Sequence, residues 1–484
     1  MLLNNLIHDI RPKAIHGNPA VDIGSLWLKA QDAVPGGLFF ALRGSATDGH
    51  RFIGAAIARG TVAVVCEELP CAEAIDPAVC YVVVGDSRAA AGQMASAFYG
   101  HPSRRLKLVG ITGTNGKTTT ATLLYRLFRA AGYRAGLLST VANYVDAREI
   151  PATHTTPDAI TINRLLGEMV AAGCGYCFME VSSHAIVQER IAGLAFAGAL
   201  FSNITHDHLD YHKTFADYIR AKRSLFDRLP AGAFALLNID DRNGRIMGQH
   251  TRAAVKTYAL RSWADFKARI VEQTLDGMQL HIDGVDIWTP LVGAFNAYNL
   301  LAVYAAARLL GIDRSEALRL LSALTPVAGR FEVVRRADGI IVIIDYAHTP
   351  DALQNVIQTV RSIGRETPLI TVVGCGGNRD TAKRPTMAQI AATNSDRAVF
   401  TSDNPRFEDP EAILNDMKAG LDADARTRSL FITDRGEAIR TAIALAQTDG
   451  AIVLIAGKGH ERYQEMAGSR IPFDDRDAAL GLTM

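Results

Sequence analysis

Residues Leu108 to Thr120 read LVGITGTNGKTTT: an apolar run enters a glycine-bearing turn, and Lys117 with three threonines opens a helix. That order builds a phosphate cradle. Gly113 and Gly116 let backbone N–H groups face an anion, and the helix N-terminus adds the positive end of its dipole. Lys117 reaches terminal phosphates and Thr118 offers a hydroxyl to magnesium. The strict template wants a glycine five positions before Gly116, where Ile111 stands, and Gly110 comes one position too early, so this is a variant P-loop. A strand-to-helix turn that binds nothing is the bland alternative, but Gly-Lys-Thr between a clean strand and an amphipathic helix rarely arises for packing alone.

Outward from this loop, strands and helices alternate. The pattern predicts strands at Leu106–Thr112, Ala135–Thr140, Tyr176–Ser182 and Ala197–Ile204, with helices from Lys117, over Asp158–Ala172 and over Asn296–Leu310. Such alternation implies a parallel sheet with helices on both faces and chemistry at the strand C-terminal ends. A smaller α/β block precedes it, with strands Leu38–Leu42 and Val62–Cys66 around the helix-like run Phe52–Arg59, closing at Gly100-His101-Pro102. A third block starts near Phe331, with strands Ile340–Asp345, Leu369–Gly374, Ala398–Ser402 and Ile452–Ala456. Three α/β domains follow, 1–104, 105–330 and 331–484, consistent with roughly 150 residues per domain for a chain of 484.

A net charge of +1 argues against a general nucleic-acid or anionic-membrane binder. No stretch resembles a signal peptide or a bilayer span, so a soluble, cytoplasmic protein is expected. The six cysteines fit a reducing compartment. Cys174 and Cys177 form a CxxC beside an apolar strand without a second pair, which favours buried thiols over metal or redox work.

The strand ends supply candidates. Glu180 follows an apolar run and can help hold the magnesium that Thr118 touches, although alone it reads equally as a capping or solvated acid. The next strand ends in NITHDHLDYH, crowding His206, Asp207, His208, Asp210 and His212. A zinc site is one reading, but closed zinc sites usually add thiolates or a distant carboxylate, and magnesium with phosphate fits the same sheet edge better. Lys222 lies in the helix-like stretch Phe215–Leu229, where a lone lysine reads as a solvated charge.

TGTNGKTTT, EVSSH, NITHDHLDYH with AKRSLF, GAFNAYN, GRFE, DYAHTPDAL, GCGGNRD, KRP, SDNPR and GKGHE together resemble the Mur ligases of peptidoglycan synthesis, in order and across nearly the whole chain. The likeness is to the branch that adds meso-2,6-diaminopimelate to UDP-N-acetylmuramoyl-L-alanyl-D-glutamate. It implies an ATP-dependent amide ligase with an N-terminal domain for the UDP-precursor, a central P-loop domain for ATP, and a C-terminal Rossmann-like domain for the amino acid. ATP and magnesium are the implied cofactors, with carbon dioxide held as a lysine carbamate. The partners implied are small-molecule substrates only, and a monomer is expected.

By that resemblance ATP is held by Gly113, Thr114, Asn115, Gly116, Lys117, Thr118, Thr119, Asn296, Arg330 and Asp345. Lys117, Arg330, His208 and Lys222 carry catalysis, and Thr118, Glu180, His208 and carbamylated Lys222 serve the metal. Asn299 and His348 fall in stretches that resemble nucleotide contacts, with packing or capping as the alternative. The precursor falls to Leu28, Thr155, Thr156, Ser182, Gln188 and Arg190, and diaminopimelate to Arg379, Asp403, Asn404, Arg406, Gly457 and Glu461. An arginine for the distal carboxylate and a glutamate for the amine are chemically apt; without its context Arg406 reads as a surface residue after a turn. The likeness departs at Lys29, Ala30 and Gln31, where the family has Asp-Ser-Arg near uridine, and at Asn378, where it has an acid. Two rivals remain at this point: a same-fold ligase with another acceptor such as L-lysine, and a non-ligase P-loop regulator that switches on ATP binding.

Overall fold

Three sheets organise the chain in a computed structural model, which describes every residue except 45–46, 206–208, 365 and 483–484, and not the side chains of 209 and 210. The N-terminal sheet has five strands, in the order Ala14–His16, Cys80–Val83, Ala63–Cys66, Gly37–Phe40 and Ser25–Trp27, with only the first pair antiparallel. The helix Ser87–Phe98, capped by Asp86, covers it and packs on the helix Ala159–Ala171 of the central unit.

The central sheet has eleven strands. Its middle is parallel, running Ala135–Leu138, Tyr176–Glu180, Lys107–Thr112, Gly198–Phe201, Phe234–Asn238, Ala254–Ala259 and Phe266–Thr274. Antiparallel strands that the sequence pattern did not announce extend both edges, at Ala142–Val145 and Arg148–Pro151 on one side and Gly277–Ile282 and Val285–Thr289 on the other. Side chains alternate across the parallel strands. Val109, Ile111, Phe178, Leu200 and Leu236 face one apolar cluster with Leu124, Leu127 and Leu300 of the helices Lys117–Ala130 and Ala294–Leu309. Leu108, Met179, Ala199, Phe201 and Leu237 face a second cluster, with Leu166 of the helix Ala159–Ala171 and Phe226 of the helix Phe215–Asp227. This period of two under two helical layers buries both faces, at about 1.5–3 kcal/mol per large apolar side chain.

The C-terminal sheet has six strands, in the order Glu332–Arg335, Ile341–Asp345, Ile452–Ala456, Leu369–Val373, Arg397–Phe400 and Ser429–Phe431. All but the first run parallel. A separate hairpin, Tyr463–Met466 with Ser469–Pro472, straps onto the loop after Phe400 through Arg406 N to Glu465 O at 2.9 Å. The strands ending at Cys66, Thr112, Asp345 and Ala456 end where the sequence pattern expects, whereas those ending at Leu138, Glu180, Phe201, Val373 and Phe400 stop one to three residues short of it. Cys174 and Cys177 are buried and unbridged, as expected. Among the described residues no helix is long and apolar enough to cross a membrane.

The central and C-terminal units meet at a backbone seam. A Cβ on Gly329 would lie 2.1 Å from His460 N and one on Gly459 2.6 Å from Gly329 O, distances no side chain tolerates.

Candidate active site

The P-loop joins the strand Lys107–Thr112 to the helix Lys117–Ala130 with Gly113 at φ +151° and Gly116 at φ +86°. Only glycine fits here. A Cβ at Gly113 would sit 1.9 Å from Ser202 Oγ, and one at Gly116 2.5 Å from Asn299 Oδ1. Asn115 is tied on three sides: its N–H donates to Asn203 Oδ1 at 2.9 Å, its carbonyl accepts from Ser202 Oγ at 2.6 Å, and its side-chain amide donates to Asp351 of the C-terminal unit at 3.1 Å. Thr114 Oγ1 meets Tyr218 OH at 3.1 Å, and Thr119 is buried in the first helical turn.

Lys117 Nζ donates to the carbonyls of Gly113 and Thr114 at 2.9 and 2.8 Å. Lys222 Nζ donates to the same Gly113 carbonyl at 2.8 Å and lies 4.5 Å from the Tyr218 ring centre. The bland expectation of a solvated lysine is therefore wrong: Lys222 is 1% exposed. The signal was in the spacing, since Tyr218, Ala221, Lys222, Leu225 and Phe226 form one buried helical stripe. The two lysine side chains thus converge on one loop carbonyl.

Glu180 is neither cap nor solvated acid. Fully buried, it accepts from Thr118 Oγ1 at 3.0 Å, Thr140 N at 2.7 Å and Thr140 Oγ1 at 3.2 Å. Arg330 donates to Thr118 Oγ1 at 3.1 Å across the seam and lies over the Tyr346 ring at 4.4 Å, while its buried Nε has no hydrogen-bond partner among the described residues. Asp345 accepts from Phe331 N at 2.7 Å; burial raises its pKa to about 6 although the Arg330 charge pulls the other way. Asn296 donates to Val292 O at 2.8 Å and accepts from Asn299 at 3.1 Å, which makes Asn299 a brace for the loop. His348 bonds Tyr346 O at 2.8 Å through Nδ1. His208 lies outside the described residues, as do His206 and Asp207. His212 meets Ser183 Oγ at 2.9 Å.

Beside this edge the precursor candidates form one hydrogen-bonded group. Thr156 Oγ1 donates to Glu180 O at 2.8 Å and accepts from Ser182 N at 3.1 Å, while the Thr155 and Thr140 hydroxyls share a hydrogen bond of 3.1 Å. Arg190 reaches Thr156 O at 2.6 Å and grips Gln188 Oε1 through Nε and Nη2 at 3.0 and 2.7 Å. Leu28 is not part of that network; it is half-buried against the N-terminal core. Lys29 and Gln31 are exposed, with Ala30 buried between them.

The acceptor candidates gather at the C-terminal strand ends. Asn404 donates to Glu461 Oε2 at 2.8 Å and accepts from Glu465 N at 2.9 Å. Gly457 N donates to Asp345 O at 3.0 Å, and Asp403 is buried beside it. Arg406, in the left-handed region at φ +54°, donates to Gly377 O at 2.7 Å and pairs with Glu465 at 3.3 Å. It is not the surface arginine that its turn context suggested, since its side chain is 20% exposed. Arg379 is exposed and donates to Asn378 O at 3.2 Å, and Asn378 Oδ1 accepts from Phe407 N at 3.1 Å.

Tyr346, Lys458 and His460 lie inside the motifs DYAHTPDAL and GKGHE but were not singled out by them, and the Arg435–Asp475 pair lies in no motif. Tyr346 links the two halves: its ring underlies Arg330 and its hydroxyl lies 3.5 Å from Glu461 Oε1. His460 packs 5.1 Å from that ring, and burial beside the Arg330 and Lys458 charges lowers its pKa to about 3. Arg435 and Asp475, both fully buried, form two bonds of 2.7 and 2.8 Å, and Arg435 also donates to Ser402 O at 3.4 Å and Ala456 O at 3.1 Å beneath the acceptor strand ends.

Three family descriptions match in chain order: Mur ligase family, catalytic domain, over residues 22–99; Mur ligase middle domain over 111–307; and Mur ligase, glutamate ligase domain, over 329–459. The chain is 55% identical over 477 residues to the UDP-N-acetylmuramoyl-L-alanyl-D-glutamate–2,6-diaminopimelate ligase of Cytophaga hutchinsonii, covering 98% of each. It is 52% identical to the same ligase of Bacteroides thetaiotaomicron, covering 99% of this chain and 98% of that one. A solved structure of a ligase with that name superposes with a TM-score of 0.68 at 32% identity, covering 100% of this chain and 98% of the other. Carrying these matches along all three sheets, the chain belongs to the Mur ligase family.

Proposed function

We propose that the P-loop edge activates a carboxylate with ATP and that the pocket around Arg406 delivers the amine that captures it. The chain is an ATP-dependent ligase that adds 2,6-diaminopimelate to UDP-N-acetylmuramoyl-L-alanyl-D-glutamate in peptidoglycan synthesis. The D-glutamyl carboxylate oxygen attacks the terminal phosphorus of ATP and ADP departs, leaving an acyl phosphate. The amine attacks its carbonyl carbon, a tetrahedral intermediate forms, and the C–O bond to phosphate breaks as the nitrogen loses a proton. Carboxylates are poor electrophiles, so two anions must be brought together and their charge neutralised.

Lys117 and Arg330 supply that neutralisation, helped by the N–H groups of the first helical turn, Lys117 to Thr119, since those of Thr114 and Asn115 are held by Asn203; Asn296 and Asp345 border the nucleotide. Thr118 Oγ1 and Glu180 Oε2, 3.0 Å apart, are the hard oxygen donors that suit magnesium. That ion would draw charge off the transferring phosphoryl oxygens. His208 would serve a second ion. Lys222 would act as a carbamate, its neutral amine adding to the carbon of carbon dioxide and losing one proton to solvent, which would replace a cation by an anion at the loop. Thr155, Thr156, Ser182, Gln188, Arg190 and Leu28 take the precursor. Arg379, Asp403, Asn404, Arg406, Gly457 and Glu461 take the meso acceptor, Arg406 holding its distal carboxylate. The units are 1–104 for the precursor, 105–330 for ATP and 331–484 for the amino acid, and the enzyme works as a cytoplasmic monomer on small molecules alone.

One observation carries this reading: the run Thr118, Arg330, Tyr346, Glu461 joins the phosphate cradle to the acceptor pocket through adjacent contacts. A reaction containing UDP-muramoyl-dipeptide, ATP, magnesium and either meso-diaminopimelate or L-lysine, read by mass spectrometry, tests it. The expected product gains diaminopimelate only with ATP present. Preferential lysine addition would overturn the acceptor assignment, and ATP hydrolysis without amide formation would overturn the ligase.

A further inference from the structure

Lys458 follows the strand Ile452–Ala456 by two residues and is fully buried. A buried ammonium is costly unless paired and hydrogen-bonded, so its partners define why it is there. They are two of the acceptor candidates: Nζ lies 3.0 Å from Asn404 Oδ1 and 3.1 Å from Glu461 Oε2. The ring of Tyr463 closes over it at 5.5 Å.

Lysine donates and never accepts. Together with Glu465 N, which also donates to Asn404 Oδ1, it dictates which end of the Asn404 amide faces it. The NH2 end is thereby turned onto Glu461 Oε2 at 2.8 Å. That oxygen now receives both Lys458 and Asn404, while among the described residues Oε1 has only the long contact of 3.5 Å from Tyr346 OH. Glu461, with its side chain 17% exposed, thus keeps one oxygen for an incoming cation and is fixed in rotation by the other.

We propose that Lys458 is a positioning residue of the acceptor pocket, locking Asn404 and Glu461 as one unit so that Glu461 Oε1 receives an ammonium group of the diamino diacid. This rests on the assignment of Glu461 to the acceptor amine. Lys458 touches no reacting atom; it acts through Glu461.

The test is a double-substitution cycle on the full-length enzyme with Lys458→Met and Glu461→Gln. Lys458→Met is expected to raise the KM for meso-diaminopimelate by about tenfold, the scale set by losing one partner of a desolvated pair, with the KM for ATP unchanged. In the Glu461→Gln background the same substitution should add almost nothing, because the group it positions is gone. Thermal unfolding gives a second arm without catalysis. Glu461→Gln strands a buried ammonium and lowers Tm, and adding Lys458→Met restores it, since both charges are then removed. If Lys458→Met does not fold, Lys458→Gln, which keeps a donor and loses the charge, replaces it in both arms. Additive KM effects, or an unchanged diaminopimelate KM in the lysine variant beside an impaired Glu461→Gln, overturn the role of Lys458 alone. A wild-type KM in Glu461→Gln itself overturns the assignment of the pocket and the proposal with it.

Discussion

Replacing Arg406 by alanine should separate acceptor recognition from the rest of the reaction. Its Nη1 is anchored on Gly377 O at 2.7 Å and its Nε faces Glu465 at 3.3 Å, which leaves further N–H groups on the planar end for a carboxylate. Truncating one partner of a buried charged pair costs about 2–5 kcal/mol. The guanidinium here is 20% exposed, and solvent screening moves the expectation to the lower half of that range. About 2–3 kcal/mol, at 1.4 kcal/mol per factor of ten, is a rise in KM for meso-diaminopimelate of roughly 30- to 150-fold. L-lysine lacks the distal carboxylate and should lose little, so the preference between the two narrows by a similar factor. Phosphate release, with ATP and the UDP-dipeptide saturating and each acceptor varied, measures both. An unchanged KM for diaminopimelate would refute the carboxylate assignment, and an equal loss for ATP would mean that the substitution had disturbed the whole C-terminal unit.

Lys117→Ala should fold normally and lose ligation by several orders of magnitude, because it removes charge from the phosphoryl transfer while burying little apolar surface; turnover and circular dichroism on one preparation check this. Lys222→Ala should be nearly inactive and partly restored by high bicarbonate or a short-chain carboxylate, whereas Lys222→Arg should stay inactive because a guanidinium forms no carbamate; equal activity of Arg and Lys would make the residue a simple cation. Arg435→Met should cost about 3–5 kcal/mol in denaturant unfolding by stranding the Asp475 carboxylate, and Asp475→Leu in the same chain should recover most of it. His460 has a folded pKa of about 3 against an ordinary 6.5, so below pH 6.5 the unfolded chain takes up a proton that the folded one refuses. Stability should therefore fall as pH drops from 6.5 toward 3, and His460→Phe should flatten that limb of a Tm-versus-pH curve.

The P-loop and the four parallel strands around it, from Ala135–Leu138 to Gly198–Phe201, were legible because each is a short apolar run closed by polar residues. The outer strands were not. Phe266–Thr274 alternates irregularly between buried and exposed positions around a bulge at Ile270 and Glu272, so no period of two stands out. Arg406 and Glu461 were legible through their motifs, but the partners that orient them were not. Lys458 shares the motif of Glu461 and Tyr346 lies in DYAHTPDAL, and packing of segments distant in sequence brings Asn404 to the first and Arg330 and Glu461 to the second.

The seam at Gly329 and Gly459 changes how variation in this enzyme should be interpreted. Neither residue has a functional group, yet each contributes a missing volume that lets two folded units lie against each other. A chimera that takes its central unit from one relative and its C-terminal unit from another inherits this fit only if both glycines travel with it. A saturation screen scored on activity would rank these positions beside Lys117, for reasons of shape alone.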